Sequence, residues 1–240
     1  MQAATIHYFP LALPFFLILV ALWIGLLTMV LLRVLRYASE SMGIAPQYAF
    51  GVLVLSLIGS YVNIPVAQFP HERVLSQQEV LFFGMVYVVP VVRDWPGTLV
   101  TVNVGGAVIP ILLSVYLLVR SGLYWRGLAG ILIVSLVTNG LAYPVPGLGI
   151  AIPTFIPPII TAVVALLLSR RHAGALAYVS GSLGTLIGAD LMNLRWVRGL
   201  GSPVVSIGGA GTFDGIFVTG LVAVLLASLV PSPDRDRAGA

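Results

Sequence analysis

Residues 11–32 read LALPFFLILVALWIGLLTMVLL, 22 positions without a charge, closed by Arg33 and Arg36. A bilayer core takes about 20 apolar residues of helix, so this stretch predicts a membrane span. A cleaved signal peptide fits it poorly, because that wants a basic start, a shorter apolar run and a small-residue cleavage site. The rest of the 240-residue chain has the same character: 59 % of it is hydrophobic and 8 % charged, with a mean hydropathy of +1.06. A water-facing exterior takes roughly a quarter of its residues charged. The composition therefore reads as an integral membrane protein, not as one or two soluble domains.

Working outward from the first span, the charge-free intervals predict seven transmembrane helices in a single polytopic domain: about 11–32, 44–62, 104–119, 127–143, 150–169, 173–191 and 215–230. A short charged tail, 231–240, follows. TyrProValProGlyLeuGly at 143–149 marks the break between the fourth and fifth spans, because Pro and Gly are the strongest turn signals. Pro153, Pro157 and Pro158 predict a kink in the fifth. The run VLFFGMVYVVPVV at 80–92 is too short to span as a helix and is rich in strand-favouring Val, Phe and Tyr. With the ArgAspTrpProGly turn at 93–97 and TLVTVNV at 98–104, it reads as a hairpin or re-entrant segment over 80–104.

The net charge of +4 comes from twelve arginines with no lysine. In so apolar a chain, basic excess reports orientation and not a nucleic-acid partner. With seven spans, Arg33, Arg36, Arg120, Arg126, Arg170, Arg171, Arg235 and Arg237 fall on one side, and Arg73, Arg93, Arg195 and Arg198 on the other. That bias makes the first side cytoplasmic, with the N-terminus outside and the C-terminus inside a cell membrane. Zero cysteines exclude disulfides and thiolate metal sites. The histidines at 7, 71 and 172 form no HExxH and no carboxylate cluster, so neither a metal nor any other cofactor is expected. ValSerGlySer at 179–182 has no histidine in any span to activate a serine.

ValAsnValGlyGlyAla at 102–107 and ValSerIleGlyGlyAla at 205–210 share a pattern, each after a β-branched run and before a predicted helix. Paired glycines at an interrupted helix start leave amide groups free, which at membrane depth requires protein or a wet cavity to satisfy them. We expect 102–107 and 206–213 to be non-helical, adjacent and open to one cavity. Asn103, Gly105, Gly106, Ser206, Gly208, Gly209 and Thr212 are the substrate-binding candidates. Gly184 and Gly188 form a GxxxG pair, a helix-packing signal.

Two acids abut or enter spans: Asp190 at the end of the sixth and Asp214 at the start of the seventh. Carboxylates there are expensive and usually partnered or functional. Both ends fall on the same side of the membrane. The structural alternatives are that Asp214 caps its helix and that Asp190 pairs with Arg195 or Arg198. As a catalytic pair, the helix dipole favours Asp214 as the ionised base and leaves Asp190 as the acid.

GADLMNL at 188–194, RGLGSPVVSIGGAGTFDGIF after it, and PVPGLGIAIPTFIPP at 144–158 resemble the prokaryotic membrane-protein family known as domain of unknown function 1614, over roughly residues 80–230. That resemblance implies a multi-span membrane protein with no established activity. GTFDGIFVTGLVAV at 211–224 is similar to the GxGD-containing helix of presenilins, signal peptide peptidases and prepilin peptidases. The similarity implies that Asp214 matches the motif aspartate and Asp190 its partner on the preceding helix. The leading expectation is an intramembrane aspartyl peptidase-like hydrolase, with membrane lipid around it and a transmembrane peptide as substrate. The alternatives are a small-solute or ion transporter with its site at the broken helices, or a non-catalytic scaffold.

Overall fold

The computed structural model describes residues 9–70, 72–82, 85–145, 149–198, 200–209 and 215–230. These are mostly helical, with short strands between the helices. Helix α1 (Phe9–Met42) is followed by α2 (Pro46–Gly59), strands β1 (Asn63–Gln68), β2 (Glu72–Phe82), β3 (Met85–Trp95) and β4 (Leu99–Asn103), and a π-helical turn, Val104–Val108. That turn runs straight into α3 (Ile109–Ser121). Then come α4 (Tyr124–Leu141), β5 (Tyr143–Val145), β6 (Gly149–Ala151), α5 (Ile156–Leu168) and α6 (Ala173–Thr185). A second π-helical turn, Leu186–Leu191, a 3₁₀ turn, Leu194–Val197, strand β7 (Val204–Ile207) and α7 (Gly215–Ser228) complete the described chain.

Local chemistry sets the helix ends. Gly43 (φ 74°) and Gly122 (φ 64°) take the left-handed conformation after α1 and α3, which glycine adopts without a Cβ clash. Pro157 and Pro158 fall in the first turn of α5, where a missing N–H leaves nothing unpaired. They start that helix and do not lie in its interior, where the expected kink would need them.

The bundle is organised around α6. Nearly every residue of α6 is buried, and α7, α4, α5 and α3 pack on it. The close approach depends on small residues. A Cβ on Gly188 would collide with Thr138 and Ser135 of α4, and one on Gly181 would come within 3.2 Å of Gly220 in α7. GxxxG therefore acts here as a packing device. Apolar side chains point the other way: Leu128, Leu132 and Leu136 on α4, and Ile159, Val163 and Leu167 on α5, form exposed stripes at helical spacing. Small and hydroxylated residues inside with large aliphatic ones outside is an arrangement suited to lipid, since exposed apolar area on this scale is foreign to soluble monomers. Two stretches, Pro14–Met42 and Val104–Ser121, are long and apolar enough to cross a membrane. Pro46–Gly59, Ile156–Leu168 and Thr219–Ser228 are apolar but shorter.

The strands correct the reading of 80–104. Strand β3 turns back onto β2, from Phe82↔Met85 to Glu72↔Trp95, so the hairpin occupies 72–95. Strand β2 holds Ser76, Gln77, Gln78 and Glu79 mid-strand, which hydropathy alone assigns to a loop. Strand β4 belongs to another sheet. It pairs antiparallel with β1 and parallel with β7, in the order β1-β4-β7. The parallel pairing sets Thr101 opposite Ser206 and Val102 opposite Ile207, bringing the two glycine-rich segments side by side.

Candidate functional site

Asp190 sits in the π-helical turn that ends α6. The turn is closed by an i→i+5 bond from the Met192 amide to the Ile187 carbonyl at 2.9 Å. In an α-helix, residues five apart point about 140° away from each other. An i→i+5 turn returns the fifth residue to the same side. Thr185 and Asp190 are five apart, and both line one cavity of about 220 Å³. The widened turn disturbs the carbonyl ladder, and neighbouring side chains take up the acceptors: Thr138 donates to the Gly184 carbonyl at 3.3 Å and Asn193 to that of Gly188 at 2.8 Å.

The cavity lies between the end of α6 and the strands. Ile150 and Ile152 form one wall, strand β7 and Gly209 another, and Ile216 in the first turn of α7 closes it. Asp190 accepts a hydrogen bond from the Gly208 amide at 2.7 Å. Among the described residues neither Arg195 nor Arg198 forms a salt bridge with Asp190, so that alternative does not hold. Arg195 stacks on Trp196 and Arg198 on Phe69 instead. The Thr185 hydroxyl is fully buried and has no hydrogen-bond partner among the described residues.

Of the expected site residues, the structure brings Asp190, Ser206, Gly208 and Gly209 together. Ser206 and Gly209 line the cavity, and Gly208 is bonded to Asp190. Asn103, Gly105 and Gly106 stand apart from it, in a joint between α2 and α3. The Asn103 side chain is buried and fully engaged. It accepts from the Gly106 amide at 2.7 Å and donates to the Ser60 carbonyl at 2.7 Å and to Asn63 Oδ1 at 3.1 Å. Ser56 donates to the Gly105 carbonyl at 2.6 Å.

The expectation that 102–107 is non-helical therefore fails from Val104 onward, because Asn103 caps a π-helical turn continuous with α3. The two glycine segments are adjacent, as a Cβ on Gly208 would lie 2.7 Å from Ala107. The cavity beside Asp190 is lined by Ser206, Ile207 and Gly209 and, among the described residues, by none of 102–107. Thr212 and Asp214 lie outside the described residues, and with them the distance between the two aspartates and their division into base and acid.

Sequence reasoning missed Thr185, Asn63 and Asn193. Thr185 precedes Asp190 by five, a spacing that has meaning only once the turn is known to be π-helical. Asn63 accepts from both Asn103 and Ser206, at 3.1 and 2.7 Å, linking β1 to β7.

No curated protein and no solved structure matches the chain. Residues 57–226 match a family model described as a protein of unknown function (DUF1614). The match takes in β1 and β2 as well as the cavity and extends over more than half of the sequence, so the chain belongs to that family.

Proposed function

We propose that this chain is a multi-pass membrane protein that hydrolyses peptide bonds within the bilayer, with Asp190 and Asp214 as its acid–base pair. The observation that carries this reading is that one cavity joins the ends of the two helices concerned. Asp190 borders it from the end of α6, and Ile216, two residues after Asp214 in the sequence, borders it from α7. Peptide hydrolysis needs one carboxylate to take a proton from water as it attacks the carbonyl carbon, and a second to protonate the leaving amine. Strand β7 also lines the cavity and has a strand neighbour on one side only among the described residues, β4. A strand edge is a common means of holding an extended peptide. Helices lie in each of the seven apolar intervals, which supports seven crossings with the N-terminus outside and the arginine-rich loops in the cytoplasm.

The test is to compare membrane proteomes of cells carrying the wild-type chain, Asp190→Ala and Asp214→Ala. Loss of the same soluble fragments in both variants is the expected result. Identical proteomes in all three would remove the peptidase reading. A second reading, transport of a small solute or ion, is favoured by the π-helical interruptions at 104–108 and 186–191, since broken helices build such sites. Solute flux in proteoliposomes that depends on Asp190 while the proteomes stay unchanged would select it.

A further inference from the structure

Strands β2 and β3 pair from Glu72↔Trp95 to Phe82↔Met85. Each packs chiefly on the other, and neither joins the sheet of β1, β4 and β7. An isolated two-stranded hairpin is marginal in water and depends on whatever covers it. No part of the peptidase reading uses this hairpin. We propose that its tip enters the interfacial layer of a lipid bilayer.

The tip is apolar on both of its faces. Strand alternation puts Met85, Tyr87 and Val89 on one face and Val86 and Val88 on the other. All five are exposed, and so is Leu81, which lies opposite Val86. A protein partner covers one face of a hairpin and leaves the other in water. Exposed apolar residues on both faces suit a medium that surrounds the tip, and that medium is lipid. Pro90 lacks an N–H in the middle of β3, which makes that edge a poor template for a strand from a second copy.

The polar residues set a depth. Val80 to Val92 carry no charge. Counting back from the tip pair Phe82↔Met85, the first charged residue is Glu79, opposite Val88 and three residues along β2. At a rise of about 3.4 Å per residue the apolar tip is about 10 Å long. Segments that lie in the membrane interface bury their apolar part about 5–10 Å deep. Gln78 and Glu79, both exposed, then stand at the headgroups. Tyr87 is one residue pair nearer the tip, at the boundary where tyrosine is favoured. At this depth the unpaired backbone groups of the strand edges stay within reach of headgroups and water, so none has to cross hydrocarbon.

The chain has no cysteine, so single substitutions can carry a nitrobenzoxadiazole fluorophore without a background label. The positions are Leu81→Cys and Val86→Cys at the tip and Gln78→Cys behind it, with Leu132→Cys on the exposed stripe of α4 as the lipid-facing reference. The full chain is placed, one copy per disc, in phosphatidylcholine nanodiscs with and without lipid spin-labelled in the upper acyl chain. Blue-shifted emission, quenched about two-fold or more by the labelled lipid, is expected at 81 and 86 as at 132, with water-like emission at 78. Water-like emission at 81 and 86 would overturn the proposal. So would a blue shift there without quenching, which would mean that protein covers the tip. A blue shift that appears only in discs holding two copies would assign the tip to a second copy and overturn it as well.

Discussion

The Asp190 carboxylate accepts the amide hydrogen of Gly208 at 2.7 Å. This single bond fastens the widened last turn of α6 to the bend that follows β7. Gly208 has φ 90°, a conformation that exposes its amide to Asp190 and disfavours any residue with a Cβ. The carboxylate thus has a structural duty beside its place in the cavity, and substitutions at Asp190 must be chosen to separate the two.

Asp190→Asn keeps an acceptor oxygen for Gly208, so the melting temperature of the purified protein is expected to stay near the wild-type value. Asp190→Ala removes the acceptor and is expected to destabilise by about 1–3 kcal/mol. Thermal unfolding in detergent checks both. A lost cleavage product in Asp190→Asn, with stability retained, would separate chemistry from folding.

Thr185→Val removes a hydroxyl that has no partner among the described residues and nearly preserves volume, so it is expected to leave stability unchanged or raised. Thr138→Val makes the same chemical change where the hydroxyl does have work, since it bonds the Val134 and Gly184 carbonyls. A loss of about 1 kcal/mol is expected there. Parallel melting curves test the contrast. Equal losses in the two variants would mean that the Thr185 hydroxyl is engaged in the folded protein.

Asn103→Ala is expected to lower stability by about 1–2 kcal/mol or more, as removal of a cap does. It also leaves the Ser60 carbonyl and the Asn63 amide oxygen without this donor. Because Asn103 is enclosed in that joint, the variant is expected to leave any ligand affinity measured at Asp190 unchanged once it is compared at equal folded fraction. A selective loss of binding at full stability would return Asn103 to the site.

Gly105→Ala is expected to be among the most damaging single substitutions, because its Cβ would collide with the Ser56 carbonyl in α2 and the amide of Ser60 just after it, backbone atoms that cannot swing aside. A cost of about 1–3 kcal/mol or more follows from such overpacking. Expression level and melting temperature report it. Gly51→Ala, with nothing within 4 Å, is the control that should be tolerated.

Each of the seven apolar intervals holds a helix, but the intervals did not set the ends: α1 runs on past its uncharged stretch through Arg33, Arg36 and Glu40 to Met42. The helix interruptions were only half legible. GlyGly at 105–106 correctly marked a departure from α-helix, but Asn103 supplies a cap and Ser56 a partner for the Gly105 carbonyl, so the chain widens into a π-helical turn instead of opening. At 186–191 no residue type announces the turn; it is stabilised by Thr138 and Asn193, which are distant in sequence or beyond its end. The hairpin was displaced for a different reason. Glu79 lies opposite Val88 in the pairing, and a strand with a polar middle carries no hydropathy signal of its own.

The parallel pairing of β4 with β7 has a consequence for assembly. Strand β4 leaves the ribosome with β1 already made, but its other neighbour follows only after α3, α4, α5 and α6. Contacts between residues so far apart in sequence form late, since the intervening chain must be placed before they can be rewarded. Until then β4 keeps one edge unmatched, and an open strand edge is prone to wrong pairing. Pairing of β1 with β4 and completion of the sheet by β7 are therefore separate events in the life of the chain, and the cavity beside Asp190, which β7 lines, comes into being only with the second.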